Sequence, residues 1–388
     1  MTTPPDQIFF QGEEIHKTKM MMLKMVFFWM CLSIVSLVFI SGILIRWTYI
    51  AEVGGQEQTV LKVRQKRYDV KPAKFCTPQS ENNYRVHIQR MSPNVTGKLF
   101  ENLSPGGAWQ PTSCVPRDHV AVIIPYRDRQ EHLDILLQNL HPFLQSQNIH
   151  YEIFVIEQAP STIFNLGLIR NVGFLEASAT YNFTCYIFHD VDKIPLNNLL
   201  LYRCPTDKAV HFASAEDRFK YSVPYYRYIG GVLGFPAEAF RKTNGYPNGY
   251  LGWGGEDDDF YFRMQSQNVS FTRADSKLGR YRVFHHPILA NPSSGSSLDF
   301  ARYLYREYGP WDDGLNTLHY TKQEVEHRPA YTWIKVGFDQ NAMMKKLWKG
   351  IMDPNYDEKR NLTWWNINMT RAIQQFPRVK KHLPEEGS

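Results

Sequence analysis

Two groups of carboxylates have the spacing to do chemistry together, Asp190-Val191-Asp192 and Glu256-Asp257-Asp258-Asp259. Acids one residue apart at a strand end face a common site once the chain leaves its extended form. Such oxygen ligands suit a hard dication, which can bridge to a diphosphate and neutralise the charge on a departing nucleotide. The plainer reading is a turn, where aspartate is common. Four consecutive acids repel and raise one another's pKa, which makes one of them a candidate general base. They also suit a helix N-terminus, where negative charge is favourable. The two roles are compatible.

Groups suited to a sugar nucleotide surround these acids. Arg127-Asp128-Arg129 offers two guanidinium groups for a phosphate or a uracil edge, against the plainer reading of a solvated turn. The stretch from Tyr225 to Phe262 carries glycines at 230, 231, 249, 252, 254 and 255, which permit close backbone approach. Tyr225, Tyr228, Tyr250 and Trp253 within it offer faces on which a sugar can stack. In His285-His286, a neutral imidazole would complete a metal sphere begun by Asp192. A packed polar histidine is the plainer alternative.

The elements that must position these residues alternate in type. Val120 to Ile124, Ile153 to Ile156 and Tyr186-Ile187-Phe188 are short apolar runs that predict buried strands. Leu133, Leu136, Leu137 and Leu140 recur at helical spacing, and 166–177 predicts a second helix. Tyr281 to Phe284 predicts a further strand before the histidine pair. This alternation argues for an α/β sheet with its ligands at the carboxyl ends of the strands. Arg127, Arg129, Asp190 and Asp192 all fall there.

The 388 residues are 43% hydrophobic and 21% charged, enough for one well-cored catalytic body plus accessories. The net charge of +6 is scattered and gives no argument for nucleic acid. Aromatics at 14% fit sugar binding, although a large aromatic core is the plainer reading. Residues 25–45 carry no charge and match a bilayer's thickness, with Lys17, Lys19 and Lys24 before them. The positive-inside rule then predicts a type II signal anchor rather than a cleaved leader. The layout expected is a cytoplasmic tail over 1–24, an anchor over 25–45, a polar stem over 46–75 and a luminal catalytic domain over 76–388. Six acceptor triplets, at Asn94, Asn102, Asn182, Asn268, Asn361 and Asn368, agree with a luminal body. Cys31 lies in the apolar span, leaving Cys76, Cys114, Cys185 and Cys204 as an even set with three possible pairings.

Several blocks together resemble a known family. They are Ile124-Pro125-Tyr126-Arg127-Asp128-Arg129, Phe164-Asn165, Asn171-Val172-Gly173-Phe174, Asp190-Val191-Asp192, Gly230-Gly231-Val232 and Trp253-Gly254-Gly255-Glu256-Asp257-Asp258-Asp259. The pattern is similar to the animal β1,4-galactosyltransferases, a family that includes the invertebrate β1,4-N-acetylgalactosaminyltransferases. It runs from about Cys76 to beyond Asn316, most of the luminal chain.

The resemblance implies a GT-A (nucleotide-diphospho-sugar transferase) fold, a Golgi membrane location, Mn2+ dependence and inversion at the anomeric carbon. It implies that Asp192 and His286 bind the metal, and that Asp257 is the base, with Glu256 helping to fix the sugars. Pro125, Tyr126, Arg127, Arg129, Phe164, Asp190, Val191 and Trp253 would hold the donor nucleotide, Trp253 on a loop that closes over it. Tyr225, Tyr228, Gly231, Tyr250 and Phe300 would line the sugar sites. The implied pairings are Cys76–Cys114 and Cys185–Cys204.

Three positions depart from the family pattern. Val283 stands where a methionine metal ligand is expected, Leu166 where an arginine lies near the nucleotide, and Leu251 where a tryptophan follows Tyr250. Tyr228, shortly before the glycine pair, favours UDP-galactose over UDP-N-acetylgalactosamine, while Ile229 keeps the second donor open. The expected reaction moves galactose in β1,4 linkage to a terminal N-acetylglucosamine of a glycoprotein or glycolipid glycan. A catalytically silent Golgi glycan-binding protein is the competing class. The intact Asp192, Asp257 and His286 argue against it.

Overall fold

The structure is a computed structural model that describes residues 74–78, 84–252, 254–285 and 313–343. The expected anchor and stem, Trp253, His286 and Phe300 lie outside the described residues. Among those described, no helix is long and apolar enough to cross a membrane.

The centre is strand β1, His119–Tyr126, read from its Val/Ile run. Its side chains alternate between two cores. Val120, Val122 and Ile124 enter one apolar cluster, while Ala121 and Ile123 enter the other. A strand buried on both faces needs a near-continuous apolar sequence, which is what β1 carries. Strand β2 (His150–Gln158) pairs parallel on one side and β3 (Cys185–His189) parallel on the other.

Helix α1 (Pro93–Phe100) precedes β1. The leucine-spaced segment forms helix α2, Gln130–Gln145, whose Leu133, Leu136, Leu137 and Leu140 all lie in the first cluster. The second predicted helix runs three residues further than its sequence pattern, as α3, Leu166–Thr180. The Asn165 side chain caps it by accepting from the Leu168 N–H at 3.0 Å. Gly173 lets α3 close on β1, since a Cβ there would collide with the Ile123 side chain.

The remaining elements complete two sheets. Strands β4 (Lys193–Pro195), β5 (Ala209–His211), β6 (Ala215–Glu216) and β7 (Val232–Phe235) follow β3. Helices α4 (Ala237–Lys242) and α5 (Glu256–Ser266) come next. Strands β8 (Phe271–Arg273), β9 (Arg280–Val283), β10 (Thr321–Arg328) and β11 (Tyr331–Gly337) end the described chain. The large sheet has the order β10-β11-β2-β1-β3-β7-β5-β8, and the small one β4-β9-β6. Antiparallel pairing of β3 with β7 makes the large sheet mixed and brings His189 opposite Val232.

Most aromatics serve the core. Phe174, Tyr186, Phe188, Phe240, Tyr246 and Phe260 form a chain of ring contacts in the second cluster, with Tyr246 and Phe260 stacked at 4.0 Å. Disulfides join Cys76 to Cys114 and Cys185 to Cys204, the pairings that the resemblance implied. Asn94, Asn102, Asn182 and Asn268 are all exposed, so each acceptor triplet in the described body is reachable.

Candidate active site

Segments following β1 and β3, the turn before β7, the middle of α3 and the first turn of α5 meet in one place. Both acidic clusters take part. Asp190 and Asp192 follow β3, and the Asp190 N–H donates to the Gly231 carbonyl at 3.0 Å. Glu256 to Asp259 form the first turn of α5, where the helix dipole favours them. The two clusters are bridged by Arg170, whose Nη1 lies 2.6 Å from Asp257 Oδ1 and Nη2 3.0 Å from Asp190 Oδ1. Asp190 is therefore paired with a guanidinium through Oδ1, and Asp192 lies buried two residues on.

The glycine pair fits tightly between these groups. A Cβ at Gly230 would come within 2.8 Å of Asp257 Oδ2 and 3.1 Å of the Tyr228 ring. One at Gly231, where φ is +90°, would meet Lys193 Cε at 2.6 Å and Glu216 Oε1 at 2.9 Å. Lys193 and Glu216 form a buried ion pair at 3.0 Å. Glu216 also accepts from Arg218 Nε at 2.6 Å and from the Tyr228 hydroxyl at 2.8 Å. Burial, then Glu216, pushes the Tyr228 phenol far above its usual range, so it remains a donor. His211 Nε2 lies 2.9 Å from the Gly230 carbonyl, and Arg273 donates to the carbonyls of Tyr226 and Tyr228. Burial pushes His211 down to about 3, so the ring is neutral and its Nε2–H can donate.

The expected nucleotide residues gather at the end of β1. Pro125 and Tyr126 are buried strand residues, and the Tyr126 hydroxyl donates to Gln130 Oε1 at 3.3 Å. Arg127 Nη1 donates to the Thr162 carbonyl at 2.7 Å, and its guanidinium lies 5.1 Å from the Phe164 ring centre. Arg129 lies within electrostatic reach of Asp192, as does Arg218. Val191 is half-buried against the first core cluster. Leu166 opens α3 one turn before Arg170 and shares its face of the helix.

Other expected sugar-site residues divide by exposure. Tyr225 is 46% exposed and lies within electrostatic reach of Asp258, and Tyr226 beside it is 77% exposed. Tyr250 is buried, with its ring beneath Gly255, where a Cβ would come within 2.6 Å of it. The loop before α5 is braced by amides. Asn165 donates to the Asn248 carbonyl at 2.6 Å, Asn171 to the Tyr246 carbonyl at 2.7 Å, and the Asn248 N–H to Asp313 Oδ2 at 2.6 Å. The Gly252 N–H donates to the Phe164 carbonyl at 2.8 Å, tying that loop to the start of α3.

Burial dominates the electrostatics of the α5 acids. Glu256 is pushed up to about 8, first by burial and then by Asp257, with Arg170 opposing. Asp257 is also raised by burial, and Arg170 offsets this most. A carboxylate held by a cation on one oxygen, with its other oxygen open and its pKa raised by burial, can serve as a general base.

Asp192 is the described member of the expected metal pair. Asp192 is a buried carboxylate, and its carbonyl accepts from the Phe284 N–H at 2.9 Å. That bond holds the end of β9 beside it, two residues short of His286. Val283 pairs with Lys193 across the small sheet, next in sequence to Asp192. Among the described residues no group of three His, Cys, Asp or Glu stands ready to hold a metal.

Sequence reasoning did not find Arg170, Lys193, Glu216, Arg218, His211, Arg273 or Asp313. A cation within an otherwise apolar helix, Leu166-Gly167-Leu168-Ile169-Arg170, was the available signal for the first.

The chain is similar to known glycosyltransferases. A family model for the N-terminal region of glycosyl transferase group 7 matches residues 74–205, and one for the N-terminal domain of galactosyltransferase matches 210–287. Human β-1,4-galactosyltransferase 1 is 42% identical over 242 residues, 62% of this chain and 60% of that protein. β-1,4-Galactosyltransferase 4 of Cricetulus griseus is 38% identical over 252 residues, 65% of this chain and 70% of that protein. The catalytic domain of Drosophila β1,4-galactosyltransferase 7, solved with xylobiose, aligns with a TM-score of 0.52 at 26% identity, covering 59% of this chain and 98% of that one. A mutant of that Drosophila enzyme, solved with manganese, UDP-Gal and xylobiose, aligns with a TM-score of 0.51.

Proposed function

The chain belongs to the glycosyl transferase group 7 family with the β-1,4-galactosyltransferases, and from that membership we propose that it transfers galactose from UDP-galactose, in β1,4 linkage, to a terminal N-acetylglucosamine of a protein or lipid glycan. The observation that carries the reading is the placement of Asp257. Its Oδ1 is held by Arg170, and its Oδ2 faces the Gly230 turn beside Tyr228.

The residues of this chain then divide by task. Arg127, Arg129, Phe164 and the segment 190–192 hold the nucleotide, with Pro125, Tyr126 and Trp253 beside it. Tyr225, Tyr228, Gly231, Tyr250 and Phe300 shape the sugar sites, with Glu256 fixing the sugars. Asp257 takes the proton from the acceptor 4-hydroxyl as that oxygen attacks the anomeric carbon opposite the diphosphate. The new bond forms as the bond to the diphosphate breaks, so the anomeric centre inverts. Mn2+, held by Asp192 and His286, would supply charge stabilisation for the departing phosphate.

A GT-A catalytic domain from residue 76, a stem, and a type II anchor over 25–45 would place this site in the Golgi lumen. The apolar span and the exposed acceptor asparagines support that placement. UDP-N-acetylgalactosamine is the alternative donor.

The test is transfer by the detergent-solubilised protein with Mn2+, an N-acetylglucosamine acceptor and each UDP-sugar in turn. Transfer from UDP-galactose supports the reading. Preference for UDP-N-acetylgalactosamine moves the protein to the other branch of the family, and transfer from neither sinks the enzyme reading. Asp257→Asn should lose about 10²–10⁴-fold in transfer while keeping Mn2+-dependent UDP binding.

A further inference from the structure

Arg170 is a charged side chain where helices do not usually keep one. It lies mid-helix in α3 with its side chain 2% exposed. A guanidinium cannot shed its proton, so burial demands partners that carry the opposite charge. Both partners come from other elements: Asp257 from the first turn of α5 and Asp190 from the end of β3. Each keeps about a quarter of its side chain open to solvent, at 23% and 26%, while Arg170 is sealed beneath them. The guanidinium also lies 4.8 Å from the Tyr246 ring centre, which limits its own movement.

We propose that Arg170 is a positioning residue for the transfer: it binds Asp257 through Oδ1, turns Oδ2 toward the Gly230 turn where the acceptor must lie, and through Asp190 locks the base in register with the donor side. The inference rests on the assignment of Asp257 as the base. A fork with two separate Nη donors can hold two carboxylates at once, whereas an ammonium reaches them as a point charge. The charged and titratable groups around Asp257 are Arg170 on α3, Asp190 after β3, Glu256 and Asp258 on α5, and Tyr246 and Tyr225 from the adjoining loops. Arg170 is the one cation among these described groups, so its loss leaves, of them, only groups that disfavour an ionised base.

The test compares wild type, Arg170→Lys and Arg170→Met as full-length proteins. It measures kcat and KM for UDP-galactose against pH, together with Mn2+-dependent UDP binding and Tm. Arg170→Met should lower kcat by about 10²-fold with less than about threefold change in UDP affinity. The acid limb of its kcat profile should move up by about 1–2 pH units. Arg170→Lys should recover part of the profile shift and part of the rate. A scaled Arg170→Met profile that superposes on wild type overturns the proposal, since a purely structural role lowers activity at every pH alike. If Arg170→Met does not fold, Arg170→Lys decides: wild-type rate and profile overturn the proposal, and an intermediate shift supports it. Wild-type protein that transfers neither sugar overturns the functional reading and this inference with it. An active wild type with unmoved variants overturns this inference alone.

Discussion

Lys193 and Glu216 meet at 3.0 Å with both side chains 1% exposed, directly beneath the positive-φ Gly231. The pair joins β4 to β6, the two outer strands of the small sheet, and Glu216 also holds Arg218 and Tyr228. Lys193→Met would leave a buried carboxylate with Arg218 and Tyr228 as its remaining partners. Loss of one member of a buried pair costs about 3 kcal/mol, or about 6–12 °C in Tm for a domain of this size. Differential scanning fluorimetry checks it. A Tm within about 2 °C of wild type would show that Glu216 is satisfied without Lys193.

In the proposed reading Tyr228 selects the donor. Its ring sits against the Gly230 backbone and its hydroxyl is held by Glu216 at 2.8 Å. Tyr228→Phe removes only the hydroxyl, with its hydrogen bonds to Glu216 and from Arg218, and should cost about tenfold in kcat/KM, the worth of about 1.4 kcal/mol. Tyr228→Leu also opens space for an N-acetyl group. The ratio of kcat/KM for UDP-N-acetylgalactosamine to that for UDP-galactose should rise at least about tenfold, within the 1–3 kcal/mol that a pocket contact discriminates. An unchanged ratio would place the selecting contact elsewhere.

Glu256 should make stability fall as pH rises. Burial, then Asp257, raises this glutamate to about 8 in the folded protein. A group with a raised folded pKa binds more protons folded than unfolded. Its contribution is fully present below the ordinary glutamate range and is lost as pH climbs through about 8. Glu256→Gln removes the linkage, so its Tm should vary less than that of wild type between pH 5 and 8.5. Parallel Tm profiles for the two proteins would refute the shift.

Metal dependence should track Asp192. Chelation with EDTA should abolish transfer, and added Mn2+ should restore it. Asp192→Asn should weaken Mn2+-dependent UDP binding at least about tenfold by calorimetry, since the oxygen ligand loses its charge. Asp190→Asn should do so less, because Asp190 faces Arg170.

The sequence revealed elements better than it revealed partnerships. Val120 to Ile124 and Tyr186 to Phe188 carry their burial in their composition, and both are strands. Arg127 and Asp192 were readable because their blocks follow apolar strands, and Glu256 to Asp259 because four acids suit a helix start, whereas Phe164 and the choice of Asp257 came from the family resemblance. Arg170 and Lys193 were not. Each neutralises an acid 87 or 23 residues away, and no local period reports such a pair. The aromatic excess pointed equally to sugar and to core. Tyr246, Phe174 and Phe260 show that the core took most of it, while Tyr225 and Tyr226 stayed outside.

The amides at Asn165, Asn171 and Asn248 have an evolutionary consequence. The Asn248 amide donates to Asp313 Oδ1 at 3.0 Å and to the Gly314 carbonyl at 2.8 Å, and its Oδ1 accepts from Asn171 at 3.0 Å. Each amide uses its donor and acceptor ends at once, so aspartate or leucine at any one position orphans a neighbour. Single steps away from this set are therefore disfavoured, and the segment 246–252 should pass between descendants as a block.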